Sequence, residues 1–420
     1  MSQLTESVKQ KPRERQRSPV HRLTEFLGLR RSMAALLSMV VLVGLGEKMA
    51  EDFLPKYLMA VGGGVLSIGL LNGMDNLLSS LYSYPGGYIS DRLGYKRALI
   101  VFNSLALFGF LLVVLFPSWY MVIVGSVFFI SWTALSMPAT MNMISQVLPK
   151  NKRTMGVSMQ SLVRRIPMAV GPIIGGTFIQ IYGITIGTRI AFSAAFVLGS
   201  IALVIQQALI TDEGSLGKQS AEANPLTTFK LMSPYLRSLL VSDILVRFCE
   251  QIPYAFLVIW SLDYARILPV QFGLLRAIEM VTAMLVYIPV AYLADRGTKK
   301  PFVIITFGFF TLFPLMLIFS RSLPMLILAF IVRGLKEFGE PTRKALIMDL
   351  ATEGKKASMF GVYYLIRDLI VSVAAFGGAV LWRISPQVNF LTALAFGVLG
   401  TLFFIFFGRD LGETERRTSV

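Results

Sequence analysis

Residues 85–97 read PGGYISDRLGYKR, and residues 289–300 read PVAYLADRGTKK. Each is a short basic loop set between two apolar stretches, so one unit has been written twice. The copy extends beyond the loop: Gly69-Leu70-Leu71 with Asp75 returns as Gly273-Leu274-Leu275 with Glu279, an offset of 204 positions. Further on, Gly156-Val157 returns as Gly361-Val362, an offset of 205. A period this long means duplicated domains, not a solenoid of short repeats.

Composition carries the next step. Hydrophobic residues make up 55% of the 420 and charged residues 15%. Apolar stretches follow one another at 33–57, 66–90, 98–117, 119–147, 155–181, 189–210, 238–261, 270–293, 301–320, 323–349, 358–382 and 389–408. Each is long enough to cross ~30 Å of hydrocarbon as a helix. The expected fold is therefore an all-α membrane protein of twelve transmembrane helices, arranged as two pseudo-symmetric six-helix bundles. In domain terms, residues 1–32 form a basic tail, 33–210 and 238–408 the two bundles, 211–237 a polar linker and 409–420 a second tail. Pro225 to Arg237 suits a short surface helix within that linker.

Lys and Arg alternate between loops, and cytoplasmic segments carry the excess. The first tail holds Lys9, Lys11, Arg13, Arg15, Arg17, Arg22, Arg30 and Arg31, and every second loop thereafter is basic. Both termini are thus expected in the cytoplasm, with the protein in the plasma membrane of a bacterium. This topology accounts for most of the net charge of +16, which in a soluble chain would suggest nucleic acid; no nucleic-acid partner is expected. The basic tail also suits contact with anionic lipid. No cleavable leader is expected, because the first apolar stretch begins only after the basic tail.

Several chemistries are excluded by inventory. Cys249 is the single cysteine and His21 the single histidine, so the usual zinc clusters have no ligands and no intrachain disulfide forms. No GxxxxGK[ST] phosphate loop is present, so direct use of ATP is not expected. No cofactor or metal is expected, and no nucleophile–base pair suggests an enzyme.

The duplicated loop resembles the signature GGxLADRxGRR/KR found between helices 2 and 3 of major facilitator superfamily transporters. Here it is carried by Gly86, Gly87, Asp91, Arg92, Gly94, Lys96 and Arg97, with a degenerate copy at Asp295, Arg296 and Lys299. The resemblance covers residues 33 to 408 and implies two bundles rocking about a central cavity in alternating access, with the family expectation of a monomer. In this reading the loop residues gate the cytoplasmic side; the bland alternative is that they only hold the loop inside. Pro167 and the run Gly171-Pro172-Ile173-Ile174-Gly175-Gly176 resemble part of a GPxxGG motif of the superfamily's exporters, with Pro167 standing where the fuller motif has a glycine. Close helix packing explains the same residues without any role in export.

Charge inside the apolar segments is the second informative feature, since each ionised group there costs about 2.5–3.5 kcal/mol on insertion scales. Setting aside Lys56, Arg189 and Asp349 towards the segment ends, the segments hold ten acids and ten bases. Spacing of three or four predicts pairs within one helix: Lys48 with Asp52, Asp243 with Arg247, Arg276 with Glu279, Arg333 with Glu337, Lys336 with Glu340, and Glu340 with Lys344. Glu51, Asp52, Arg343 and Lys344 are expected near the interfaces, in water. Arg164 and Arg165 have no acid within four residues, so their partners must come from another helix, with Glu47 and Asp75 as candidates, or from substrate.

Asp75, Glu279 and Glu47 are the candidates for a proton site, because a carboxyl in low dielectric favours its neutral form. The structural alternative is a buried acid held permanently by Arg164 or Arg165. Substrate-cavity candidates are Arg164, Arg165, Arg247, Glu250, Arg333, Lys336, Glu337 and Arg367, with Trp132, Thr133 and Ser136 forming a facing wall where Trp132 packs or stacks on solute. The partners expected are therefore a small organic solute, a proton or another coupling ion, and the bilayer. The chain reads as a secondary transporter, with proton-coupled export first, proton-coupled uptake of an anionic or zwitterionic solute second, and a transport-like sensor or lipid flippase as the remaining alternatives.

Overall fold

The computed structural model describes residues 31–130, 153–210, 225–294, 298–351 and 356–410, with residues 132, 134, 136, 137, 139, 140 and 143. Among these, all regular structure is helical. Helices α1 (Arg31–Glu51), α2 (Leu54–Ala60), α3 (Val65–Leu93), α4 (Tyr95–Leu115), α5 (Trp119–Phe129) and α6 (Arg153–Leu209) fall on the first six apolar segments. After α7 (Pro225–Lys230) come α8 (Pro234–Tyr254), α9 (Leu257–Ile259) with a π-helical turn at Trp260–Tyr264, α10 (Pro269–Ala294) and α11 (Lys300–Phe319). Helices α12 (Leu323–Leu335), α13 (Glu340–Leu350), α14 (Lys356–Ile384) and α15 (Pro386–Phe407) complete the chain.

Single residues set the turns. The apolar part of α6 runs 47 residues from Val163, about 70 Å at 1.5 Å per residue, which is twice the hydrocarbon thickness. Gly183, at φ 77° and ψ 168°, breaks it into the fifth and sixth spans. Gly94, at φ 78° and ψ 158°, does the same between α3 and α4, ending one helix and starting the next. This backbone region is essentially open to glycine alone, which gives the glycine of the basic loop a structural reason.

Three predicted helices are broken. The first stops at Glu51 and resumes at Leu54, ahead of Pro55, whose ring nitrogen has no proton to donate. The seventh bends by 45° after Pro253. The tenth stops at Leu335 and restarts at Glu340, where Pro341 opens α13. In that gap Gly339 donates its N–H to Thr306 Oγ1 at 2.5 Å, and a Cβ there would lie 2.5 Å from the Phe302 carbonyl.

Glycines let the helices approach. A Cβ on Gly171 would meet Lys48 Cβ at 2.8 Å, and one on Gly175 would overlap the Met49 carbonyl, so this face of α6 lies directly on α1. Gly176 instead faces α10, 2.5 Å from the Pro269 carbonyl by the same measure, and Gly273 returns the contact against Pro172 and Ile173. The repeated partner Gly69, on α3, packs against Ala379 on α14. Phe53 and Phe272 meet edge to face at 5.6 Å. The two copies of the Gly-Leu-Leu segment thus join the two parts of the chain on the face that carries the α2–α3 turn and Gly183. Cys249 is buried, with its thiol donating to the Phe310 carbonyl at 3.3 Å.

Candidate functional site

Between α1, α3, the turn after α8, and α10 lies a small cavity of about 50 Å³. Its wall is largely apolar, with Leu54, Leu71, Ile130, Val258 and Phe272. Its polar groups stand on opposite sides: Glu51, Asp52, Asn72 and Asp75 on the earlier helices, and Tyr254, Arg276 and Arg333 on the later ones. A smaller space of about 10 Å³ beside it is lined by Glu250, Phe309, Phe310, Phe313, Arg333 and Lys336. Arg333 belongs to both walls.

The cations of the later helices are tied into one ladder. Arg276 donates to Glu279 at 2.5 Å and, across to α1, to Asp52 at 2.8 Å. Glu279 also faces Arg333 at 3.2 Å and Lys336 at 3.5 Å. Lys336 reaches Glu250 at 2.6 Å, and Arg247 reaches the same carboxylate at 2.6 Å and Glu340 at 3.5 Å. Arg343 chelates Glu340 at 2.7 and 2.9 Å and pairs with Asp243, to which Tyr363 donates at 3.0 Å. Arg367, stacked 4.2 Å over Tyr364, lies 3.6 Å from Asp243 and 2.7 Å from Asp368. Buried charges persist when they are paired, and every one of these has an ion-pair partner within 4 Å, although Arg247 Nε and Arg367 Nη1 make no hydrogen bond.

The earlier helices are less evenly matched. Lys48 pairs with Glu51 and lies 3.9 Å from the buried Glu47. Asp75 is hydrogen-bonded to Ser79, one turn further along α3. Arg165 crosses to Glu337 at 3.3 Å, while Arg164 beside it is half-buried and makes no ion pair within 4 Å among the described residues. Two other bridges join the parts: Asn72 donates to the Gln251 carbonyl at 3.2 Å, and Lys56 pairs with Asp263.

Several expected pairs are therefore corrected. Lys48 meets Glu51 rather than Asp52, because α1 ends at Glu51 and Asp52 lies off the helical register. Arg333 does not meet Glu337, nor Lys336 Glu340; the break between α12 and α13 turns these residues toward Glu279, Arg165 and Glu250. Of the four charges expected in water only Lys344 is, 46% exposed and reaching Glu340 at 3.5 Å; Arg343 is 1% exposed, and Glu51 and Asp52 are largely enclosed by their pairs with Lys48 and Arg276. Of the expected cavity residues, Arg333 lines the central space and Glu250 and Lys336 the smaller one, while Asp52, Asn72, Tyr254 and Arg276 were not anticipated there. Trp132 is packed, donating to Asn103 Oδ1 at 2.9 Å.

In the duplicated loop, Arg92 lies over the Tyr88 ring at 4.6 Å, Lys96 donates to the Gln207 carbonyl at 3.2 Å, and Arg97 is exposed. Gly86, Gly87 and Asp91 fall on the last turns of α3, with side-chain surroundings outside the described residues, as are Asp295, Arg296, Thr133 and His21 altogether. Lys299 pairs with Asp349, and its N–H and that of Lys300 are capped by Asp410.

A family model, Major Facilitator Superfamily, matches this sequence over residues 32–265 and again over 239–419. The chain belongs to the Major Facilitator Superfamily. The MFS-type transporter MJ1317 of Methanocaldococcus jannaschii is 24% identical over 376 residues, 86% of this chain and 91% of that protein. A solved POT family transporter in complex with 5-aminolevulinic acid superposes with a TM-score of 0.74 at 14% identity, covering 90% of this chain and 96% of that one. The nucleoside transporter NupG gives 0.75 at 14% identity, covering 90% and 100%. These likenesses show the fold: twelve helices in two bundles. The protein is thus an integral membrane transporter of the secondary class, acting on small molecules, and not an enzyme.

Proposed function

We propose that this transporter is proton-coupled and carries small amphiphilic zwitterions or organic anions, exporting them in exchange for protons. The observation that carries the reading is the opposition of charge across an apolar cavity. Acids on one wall suit an amine, guanidinium groups on the other suit a carboxylate, and the apolar lining suits the body between them. The solved POT family transporter bound to 5-aminolevulinic acid holds a zwitterion of this kind in the same fold.

Asp75 is the proton carrier in this proposal. Glu279, its repeat partner, faces three cations within 3.5 Å, so neutralising it would weaken the hold on Arg276 and Lys336 and leave Arg333 without its ion-pair partner among the described residues. Asp75 lines the cavity, where the arrival of an amine or a proton changes its balance. Glu47, beside Lys48 and away from the cavity wall, tunes that balance. Export rests on the Gly171-Pro172…Gly175-Gly176 segment, whose glycines bring α6 onto α1 and α10. The termini are assigned to the cytoplasm on the distribution of Lys and Arg, the membrane is the plasma membrane, and the protein acts as a monomer. On this orientation the face on which Gly176 and Gly273 bring α6 against α10, read here as the sealed face, is the outer one. The loop residues Arg92, Lys96, Arg97 and Lys299 then gate the inner side.

The test is luminal pH in proteoliposomes of the purified protein while lipophilic amines, organic anions and zwitterions are added in turn. Zwitterion-dependent proton movement opposite to solute movement supports export by exchange. Movement in the same direction would replace export with uptake, and labelled-solute flux without any proton movement would remove the coupling.

A further inference from the structure

The opposition of charge across the cavity leaves open which cation takes a solute's carboxylate. Arg276 stands out from its neighbours. Arg333 is enclosed, 3% exposed, between Glu279 and the rings of Tyr254, Phe313 and Phe330. Lys336 is spent on Glu250 and Glu279. Arg276 spends its Nη1 on Glu279, but its Nε is given to Asp52, a residue 224 positions away on the other part of the chain. Both Asp52 and Arg276 line the cavity. Among the described residues Asp52 has no other ionic partner, whereas Glu279 would keep Arg333 and Lys336 if Arg276 turned away.

We propose that Arg276 is the carboxylate-binding residue of the cavity, and that in this state Asp52 occupies its Nε edge as the protein's own stand-in for the solute's carboxylate. This rests on the reading of the cavity as a site for solutes with an anionic end. A carboxylate is chemically equivalent to the Asp52 side chain as a guanidinium acceptor, so one replaces the other with little net change at Arg276. A neutral group cannot make that exchange. What the exchange does change is the seam: Asp52–Arg276, 9% and 12% exposed, is the more enclosed ionic link on the sealed face, and Lys56–Asp263 is 24% and 38% exposed, where such pairs hold little. Solute binding and release of the outer seam are then one event, with the anion as the trigger.

The experiment reads the seam directly. Spin labels are placed at Ala60→Cys and Leu268→Cys, exposed positions on the two sides of the sealed face, in a Cys249→Ala background, and distances are measured by pulsed electron resonance in lipid nanodiscs. The protein otherwise unaltered is expected to give one short distance. Asp52→Asn, measured without any solute, is expected to add a longer population, raising the open-to-closed ratio roughly ten- to a hundredfold for loss of one charge-assisted bond. Sodium acetate, the simplest carboxylate, is expected to add the same population to the Asp52 protein where sodium chloride at equal ionic strength does not, and to add nothing in Asp52→Asn. The acetate arm needs no change at the seam and stands if Asp52→Asn folds poorly. An unchanged distance in folded Asp52→Asn, or acetate and chloride behaving alike, would overturn the proposal. Neither arm uses a transported solute, so zwitterion flux failing in proteoliposomes would remove the functional reading separately.

Discussion

Replacing Asp243 by asparagine is expected to destabilise the fold by about 3–5 kcal/mol, the cost of leaving a buried charge without its partner. The carboxylate is 1% exposed and sits among Arg343, Arg367 at 3.6 Å, Arg247 at 3.8 Å and the Tyr363 hydroxyl at 3.0 Å. Arg343 is equally enclosed, and of its two acids only Glu340 would remain, itself already shared with Arg247 and Lys344. Asparagine preserves the shape, so the loss is electrostatic and not a cavity. Arg343→Met in the same protein removes the stranded cation, and the double variant is expected to be more stable than the sum of the two single losses by about 0.5–3 kcal/mol, the range found for groups in direct contact. Equilibrium unfolding by SDS in mixed micelles, followed by tryptophan fluorescence, gives all three values. A loss below about 1 kcal/mol for Asp243→Asn, or single losses that add within about 0.5 kcal/mol, would refute the view that the ladder is one buried unit.

The remaining predictions concern other parts of the molecule. Glu279→Gln is expected to cost about 3–5 kcal/mol in the same unfolding assay, because Arg276, Arg333 and Lys336 all face that carboxylate, while Asp75→Asn leaves stability nearly unchanged. Gly94→Ala and Gly183→Ala are each expected to cost about 1–3 kcal/mol, measured as a lowered unfolding midpoint, since both hold a backbone conformation reserved for glycine. Lys56→Gln is expected to shift stability by about 1 kcal/mol or less, as its pair with Asp263 is partly in water.

How much of this was legible depends on whether the governing contact was local. The twelve segments and the duplication were plain in the apolar runs and in Gly69-Leu70-Leu71 against Gly273-Leu274-Leu275. The pairing of charges was legible only where the helix stayed intact, as for Arg276 with Glu279. In the tenth segment the three-and-four rule failed for Arg333 with Glu337 and Lys336 with Glu340, where Gly339 and Pro341 interrupt the helix that the rule assumes, and held for Glu340 with Lys344 beyond the break; Gly339 and Pro341 were the available signal. Bonds between distant parts, Asp52 to Arg276 and Arg165 to Glu337, carry no mark in sequence spacing. The duplication did offer a hint, since Arg276 stands where the first copy has Asn72, and both line the cavity.

The most direct test of proton coupling through Asp75 is accumulation against counterflow in proteoliposomes, using whichever labelled zwitterion the solute screen returns. The unaltered protein is expected to concentrate the label when a proton gradient is imposed and also to exchange it when both sides hold unlabelled solute. Asp75→Asn is expected to keep the exchange and lose the accumulation. Full gradient-driven accumulation by Asp75→Asn would contradict the account and return Asp75 to a structural role.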